Sequence, residues 1–429
     1  MKILHFADAH IDIVTHGRHD PATNLPVRAM DFLKSLDAIV DTAITEAVDL
    51  VLFAGDAYKS RTPAPTYQRE WGRRIMLLSK AGIPTLLLTG NHDVSPAFGR
   101  AHALEPFSTF EAPSVRVIDR PCLLGPAELG LPAQVIGVPW ISRSGMIAHL
   151  GLQETDPQKV YEALESRVTE LVLEWLDQAD SALPTILLAH AAVQGSRLGS
   201  ERSITLGREM VLPASLVKDR RFSYVALGHV HQAQDLNEGA QPPAIYSGSI
   251  ERVDWGEAGD EKRFVVAEID PGQASISWRK LDTRACIDAA IRITSANGVT
   301  GQCLQALPDK PQLKDAVVRL TVDLPAEWRE RIDQSALHAH ASEAFSFQLN
   351  VHARTAPRLR LPEDRQAESL SPLELLALYW EASGVPASEF EPLQALAAEI
   401  IRAPAEPEQL LDPPAVEMPA PLDVTEEAG

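Results

Sequence analysis

The stretch Thr85-Leu86-Leu87-Leu88-Thr89-Gly90-Asn91-His92-Asp93 decides the fold of this 429-residue chain. Its apolar run is typical of a buried strand in a parallel sheet, and Gly90 allows the chain to turn sharply where the strand ends. Asn91, His92 and Asp93 then offer a carbonyl oxygen, an imidazole and a carboxylate. A strand that ends directly in such groups predicts an α/β fold with a functional site at the carboxyl edge of the sheet.

Four other apolar runs in the chain end in the same way, in residue types that bind metal ions. Since the carboxyl ends of parallel strands lie along one crevice, these side chains are expected to converge with Asn91. The predicted ligand set contains two carboxylates, four histidines and one asparagine carbonyl: Asp8, His10, Asp56, Asn91, His190, His229 and His231.

The predicted ligands contain no cysteine, and they mix oxygen with nitrogen. This mixture suits Mn, Fe or Zn better than Ca, and it lacks the thiolates that are common in structural zinc sites. Seven ligands are too many for one octahedral ion that keeps a position open for water. Two divalent ions that share one carboxylate fit the set better, and such pairs catalyse phosphoryl displacement.

Taken in chain order, these motifs resemble those of the calcineurin-like metallophosphoesterase superfamily. They are Asp8-Ala9-His10, Gly55-Asp56, Gly90-Asn91-His92-Asp93, His190 and Gly228-His229-Val230-His231. The segments Ala226–Gln232 and Tyr246–Arg252, with the C-terminal layout, are similar to SbcD-type nucleases, which act in double-strand-break repair. The resemblance implies an α/β fold: an αββα sandwich with a small α/β cap domain and a C-terminal helical hairpin.

The resemblance also implies a role for each site residue. One ion would be held by Asp8, His10 and His231, the other by Asn91, His190 and His229, and Asp56 would bridge them. His92 falls at the position of the general acid, and Asp93 at that of the partner that orients this histidine. The ions implied are two Mn²⁺.

Lys59 departs from the family pattern, which usually has Asp or His at this position. A lysine cannot accept a hydrogen bond, but it can contact phosphate. A phosphate contact and a solvated loop lysine both remain open, and Arg61 is a second candidate for substrate binding.

The domain boundaries follow from the resemblance and from shifts in composition. We expect a metallophosphoesterase (nuclease) domain at 1–275, an α/β capping domain at 276–362, a linker and helical hairpin for an ATPase partner at 363–403, and a disordered acidic tail at 404–429. The net charge is −20, and residues 366–429 hold 13 acidic residues and one basic residue. An acidic chain is expected to bind DNA weakly by itself, since neutralisation of phosphates supplies most nonspecific affinity.

Cysteine usage and hydropathy suggest a cytoplasmic protein. The three cysteines are far apart and odd in number, which argues against a disulfide framework. No apolar run approaches the length of about 20 residues that spans a membrane, and no signal peptide precedes the first strand.

These observations together favour a Mn-dependent DNA exonuclease or endonuclease that processes DNA ends with an SbcC-type ATPase. Two alternatives stay open: a metallophosphoesterase that acts on nucleotides or phosphoproteins, and a non-catalytic scaffold for DNA ends. The metal motifs fit the first alternative equally well, but the cap and the helical tail would then lack a purpose. A homodimer is compatible with the resemblance, which leaves the oligomeric state open.

Overall fold

The structure is a computed structural model, and it describes residues 1–13, 18–94, 100–141, 157–197, 210–354, 370–382 and 385–402. The chain divides into two compact units, Met1–His352 and Ala353–Gly429. The predicted acidic tail at 404–429 and the start of the predicted linker, 363–369, lie outside the described residues.

Two six-stranded sheets form the centre of the first unit. In spatial order, the first sheet contains Gln273–Lys280, Arg263–Asp270, Lys2–Phe6, Leu50–Phe53, Thr85–Leu88 and Val115–Ile118. Its last four strands are parallel, and the first two are antiparallel. The second sheet contains Gln234–Asp235, Ala244–Tyr246, Tyr224–Gly228, Thr185–His190, Gln134–Val138 and Cys122–Leu124. Its four central strands are parallel, and its two edge strands are antiparallel to their neighbours.

The inner faces of the two sheets pack against each other and form a central core, which includes Leu52 and Leu88 from one sheet and Leu188 and Ala226 from the other. The one histidine on this apolar face, His5, places its Nδ1 atom 3.0 Å from the Tyr224 hydroxyl of the opposite sheet. A buried polar group that finds a partner in this way is tolerated in a core.

Helices cover both outer faces of this pair of sheets. Val27–Thr45 and Pro65–Lys80 pack on the first sheet, and Pro157–Gln178 packs on the second. The predicted αββα sandwich is therefore confirmed. Shorter elements complete it: the paired strands Ala192–Val193 and Val211–Leu212, the helices Glu105–Thr109, Pro126–Leu129 and Ala214–Val217, and the 3₁₀ helix Trp255–Glu257.

A third sheet follows along the chain, with strands Cys286–Arg292, Val317–Pro325 and Ser346–Arg354. Its helices are Val299–Ala306, Lys310–Leu313 and Gln334–His340, with a 3₁₀ helix at Ala326–Arg331. These elements enclose an apolar core of their own, in the strand–helix order that the sequence predicts for the cap. The compact unit nevertheless extends without division to His352, so the boundary at 275/276 stays a prediction.

The second unit contains two helices, Pro372–Ala382 and Ala387–Arg402. The first begins with the predicted capping box, because Ser371 N–H donates to Glu374 Oε2 (2.8 Å) and Glu374 N–H donates to Ser371 Oγ (3.3 Å). The rings of Trp380 and Phe390 meet edge to face between the two helices. No helix among the described residues of the chain is both long enough and apolar enough to cross a membrane.

Candidate metal centre

All seven predicted ligands lie at the carboxyl ends of parallel strands from the two sheets. The first sheet supplies Asp8 and His10 after Lys2–Phe6, Asp56 after Leu50–Phe53, and Asn91 after Thr85–Leu88, whereas the second supplies His190, His229 and His231 from Thr185–His190 and Tyr224–Gly228. Hydrogen bonds link the two edges: His229 N–H, for example, donates to both carboxylate oxygens of Asp8 (3.1 Å each).

The first histidine pair brings two ring nitrogens together without a proton between them. His10 Nε2 lies 3.1 Å from His231 Nε2. The Nδ1 atom of His10 donates to the Tyr58 carbonyl (3.3 Å), and that of His231 donates to Glu257 Oε1 (2.7 Å). A neutral imidazole carries one N–H, so both Nε2 atoms present lone pairs. Two lone pairs that face each other, with the Asp8 carboxylate within reach of both, fit a cation.

The second group has the same character. The side-chain oxygen of Asn91 lies 3.0 Å from His190 Nε2 and 3.1 Å from His229 Nδ1. The Nδ1 atom of His190 donates to the Ala54 carbonyl (2.7 Å), so its Nε2 atom is an acceptor that faces a second acceptor. Burial lowers the pKa of His190 to about 4, against the opposing charge of Asp56, which keeps the ring neutral.

Asp56 lies between the two groups. Its Oδ2 atom is 3.7 Å from His10 Nε2 and 3.6 Å from His190 Nε2. Burial acts to raise the pKa of Asp56, but the nearby His190, His92 and His10 outweigh it and leave the pKa below the usual range. Asp8 has a pKa raised to about 7, because burial and the charge of Asp56 oppose its ionisation. Two buried carboxyls and four imidazoles therefore form a donor set that divalent ions would satisfy.

The backbone at these ligands is strained. Asp8, His10, Asp56 and His229 have φ angles of 51°, 42°, 64° and 97°, a region that non-glycine residues rarely occupy. The glycines that precede the ligands permit close approach: a Cβ atom on Gly90 would lie 2.1 Å from Asp56 Oδ1, and one on Gly228 would lie 2.0 Å from the Ala54 carbonyl oxygen. Strain of this kind is concentrated at functional sites, where the surrounding structure enforces it.

His92 lies at the centre, but the predicted pairing of Asp93 with His92 is wrong. His92 Nδ1 is hydrogen-bonded to the Lys59 carbonyl oxygen (2.8 Å). The buried Asp93 carboxylate instead accepts hydrogen bonds from the backbone N–H groups of Gly90, Asp56 and Ala57, at 2.8–3.0 Å. The physical reason is that three N–H groups of two ligand loops converge on Asp93, and a buried carboxylate is stabilised by such donors. Asp93 thus holds the two loops together.

Lys59 and Arg61, the candidate substrate contacts, both lie at this edge. Burial lowers the pKa of His92, and the positive charges of Lys59 and Arg61 lower it further against the opposing charge of Asp56. Arg61 Nε also donates to the Asn91 carbonyl oxygen (3.1 Å). Whether either side chain binds substrate stays a prediction.

Three residues that support the ligands carry no clear sequence signal. Glu257 binds His231 and also accepts hydrogen bonds from the buried Lys262 ammonium (2.6 Å) and the Ser249 hydroxyl (3.0 Å). Trp140 packs its ring 5.3 Å from that of His229. Asp12 binds the loop that carries Lys59. Only the last could have been suspected, because it lies two positions after His10 between two isoleucines.

A family model described as calcineurin-like phosphoesterase matches residues 1–233, a range that contains all seven ligands. This chain belongs to that family. Members of the family bind two divalent metal ions, and the histidine and carboxylate groups described above could hold them. The superfamily predicted from the motifs is confirmed.

The chain is also similar to individual proteins. It is 27% identical to the SbcD subunit of the SbcCD nuclease of Bacillus subtilis (strain 168), over 66% of this chain and 69% of the relative. The corresponding protein of Escherichia coli (strain K12) is 27% identical over 64% of this chain and 66% of the relative, slightly under two thirds of its length. A solved structure from Thermus thermophilus covers 65% of this chain and 98% of its own at 18% identity, but its TM-score of 0.36 is too low to carry an argument.

Proposed function

We propose that this protein is a Mn²⁺-dependent DNA phosphodiesterase that processes DNA ends together with an SbcC-type ATPase. The observation that carries the proposal is the position of Asp56 Oδ2, almost equidistant from the His10 and the His190 groups. One carboxylate between two sets of neutral donors suits a pair of ions. Asp8, His10 and His231 would hold one ion, Asn91, His190 and His229 the other, and Asp56 would bridge them.

The residues of the chain around these ions have separate tasks. Bound divalent ions supply neutralisation of the phosphate charge and activation of water as a nucleophile. The Lys59 carbonyl holds Nδ1–H of His92, so Nε2 is the ring nitrogen that can give a proton to the leaving oxygen. Lys59 and Arg61 would contact the phosphates that flank the scissile bond, since both charges lie close enough to act on His92.

DNA is proposed as the substrate because the relatives named above are nuclease subunits. The net charge of −20 opposes tight binding of DNA by this chain alone, because affinity for DNA depends on neutralised phosphates. A partner that supplies basic surface resolves this conflict, and the ATPase is the partner that the resemblance implies.

The helical hairpin of the second unit is the proposed docking element for this ATPase. Among its described residues, Tyr379, Leu396, Ile400 and Ile401 are 46–66% exposed. Large apolar side chains exposed together mark an interaction surface, and an amphipathic helix that lies in an apolar groove is a common mode of recognition.

Purified full-length chain is expected to cleave linear duplex DNA when Mn²⁺ is added, and more rapidly with the ATPase and ATP. The measurement is product length on denaturing gels, with a chelator as the blank. A nucleotide and a phosphopeptide serve as competing substrates. Cleavage of either of these at a higher kcat/KM than DNA would contradict the proposal in favour of a phosphatase, and no hydrolysis of any of the three would favour a scaffold.

Deletion of Ser371–Gly429 is expected to abolish co-purification with the ATPase and the stimulation by ATP. The Mn²⁺-dependent activity of the isolated chain on short single-stranded DNA should survive, because the deletion removes none of the predicted catalytic residues. A point variant, Ile400→Asp, is the matched test of the apolar face. A complex that still forms after the deletion would refute the docking role.

A further inference from the structure

The segment Asp56–Ser60 runs behind the metal centre, and two buried carboxylates hold its backbone. Asp93 accepts hydrogen bonds from the N–H groups of Asp56 and Ala57. Asp12, which is 7% exposed, accepts from Lys59 N–H (2.5 Å) and from Ser60 N–H (3.2 Å). The two carboxylates thus bind four backbone donors from one side.

The carbonyl groups of the same segment bind histidines. The Tyr58 carbonyl accepts from His10 Nδ1 (3.3 Å), and the Lys59 carbonyl accepts from His92 Nδ1 (2.8 Å). The Tyr58 carbonyl and Lys59 N–H belong to one peptide group, and the Lys59 carbonyl and Ser60 N–H belong to the next. Asp12 is therefore connected to each imidazole through a single peptide group.

Connected hydrogen bonds of this kind strengthen one another, because each polarises the next. A carboxylate bound to the N–H of a peptide group increases the negative charge on its carbonyl oxygen, which then accepts a stronger hydrogen bond from the imidazole. Direct carboxylate–histidine contacts fix the tautomer and the orientation of the ring. The low exposure of Asp12 limits the screening of its charge by water.

We propose that Asp12 is the positioning residue of His92, and that it acts through the Lys59–Ser60 peptide group in place of a direct carboxylate contact. The same residue supports His10 through the Tyr58–Lys59 peptide group. The role accounts for Lys59, because the backbone of this residue does the orienting and its side chain is free to differ. Since it assigns a purpose to the orientation of His92, this inference rests on the proposed function.

The test is a double-mutant cycle of Asp12→Asn and His92→Ala at saturating Mn²⁺. Asparagine keeps the shape but removes the charge and turns a donor towards one N–H group. We expect Asp12→Asn to lower kcat for DNA by about 10–100-fold with little change in KM, the usual effect of losing a supporting partner. In the His92→Ala background the same change should cost less than about threefold, because coupled residues are not additive. Equal losses in both backgrounds would overturn the proposal.

Asp235→Asn is the matched control, because the Asp235 carboxylate also accepts two loop N–H groups, from Asn237 (2.9 Å) and Gly239 (2.8 Å). It belongs to none of the site loops, so kcat should stay unchanged. A loss of kcat equal to that of Asp12→Asn would overturn the proposal, because it would mean that any loop carboxylate has this effect. Asp12→Ser, which also removes the charge, replaces Asp12→Asn if circular dichroism shows that the latter does not fold.

Proton NMR of the metal-free, histidine-labelled chain gives a readout that does not need activity. The Nδ1–H resonance of His92, assigned by its loss in His92→Ala, should lie downfield in the wild type and move upfield in Asp12→Asn. A wild type that hydrolyses no phosphodiester would refute the proposed function but leave this readout intact. An unchanged resonance in Asp12→Asn would overturn the role of Asp12 itself.

Discussion

Replacement of His92 with alanine is expected to lower turnover by about 10²–10⁴-fold, the usual contribution of a positioned general acid. Both metal ions should remain bound, because the donors that converge in the two groups belong to other residues. The Nδ1 atom of His92 is held by the Lys59 carbonyl, so the ring presents Nε2 to a leaving oxygen. Single-turnover cleavage of DNA gives the rate, and mass spectrometry gives the metal content.

The choice of substrate sharpens this prediction. A nitrophenyl phosphodiester has a leaving group that needs little protonation, so His92→Ala should slow its hydrolysis much less than that of DNA. His352→Ala, at an exposed histidine of the third sheet, is the control and should leave both rates unchanged. Loss of one ion from His92→Ala would show that the imidazole is a ligand, and equal slowing of both substrates would argue against a general acid.

Asp56→Asn should be the most damaging change at the metal centre, with a loss of activity of about 10³-fold or more, since ions at such sites stabilise the transition state by several kcal/mol. Because Asp56 Oδ2 lies 3.6–3.7 Å from both His10 and His190, removal of its charge should weaken both ions. The Asp56 side chain also accepts His92 N–H through Oδ1 (2.8 Å), a contact that asparagine can keep.

His10→Ala is the comparison for Asp56→Asn. It removes a ligand from one group only, so it should lose mainly one ion and retain the other. Calorimetric titration with Mn²⁺ measures the stoichiometry and affinity of both variants. The same stoichiometry in Asp56→Asn and His10→Ala would contradict the bridging role of Asp56.

The ligand set could be predicted from the sequence because it depends on topology. Asp8, Asp56, Asn91, His190 and His229 each follow a strand of apolar residues, and the carboxyl ends of parallel strands lie at one edge of a sheet. Side-chain type and chain order were therefore sufficient, without knowledge of any loop conformation. The αββα layers follow from the same alternation of apolar strands and amphipathic helices.

The partner of His92 could not be predicted in this way, because it depends on the path of a loop. The Lys59 carbonyl reaches His92 only because Asp12 and Asp93 hold the segment Asp56–Ser60 by its N–H groups. A backbone carbonyl has no sequence signature, so the neighbouring Asp93 was assigned the role instead. Glu257 is a similar case: it reaches His231 from 26 positions along the chain, through a turn that has no motif.

Anomalous diffraction at the manganese edge, from crystals of the full chain grown with Mn²⁺, tests the two-ion centre most directly. We predict two peaks about 3.5–4 Å apart, one in contact with Asp8, His10 and His231, the other with Asn91, His190 and His229, and both in contact with Asp56. A single peak, or a peak ligated by His92 or Asp93, would contradict the account.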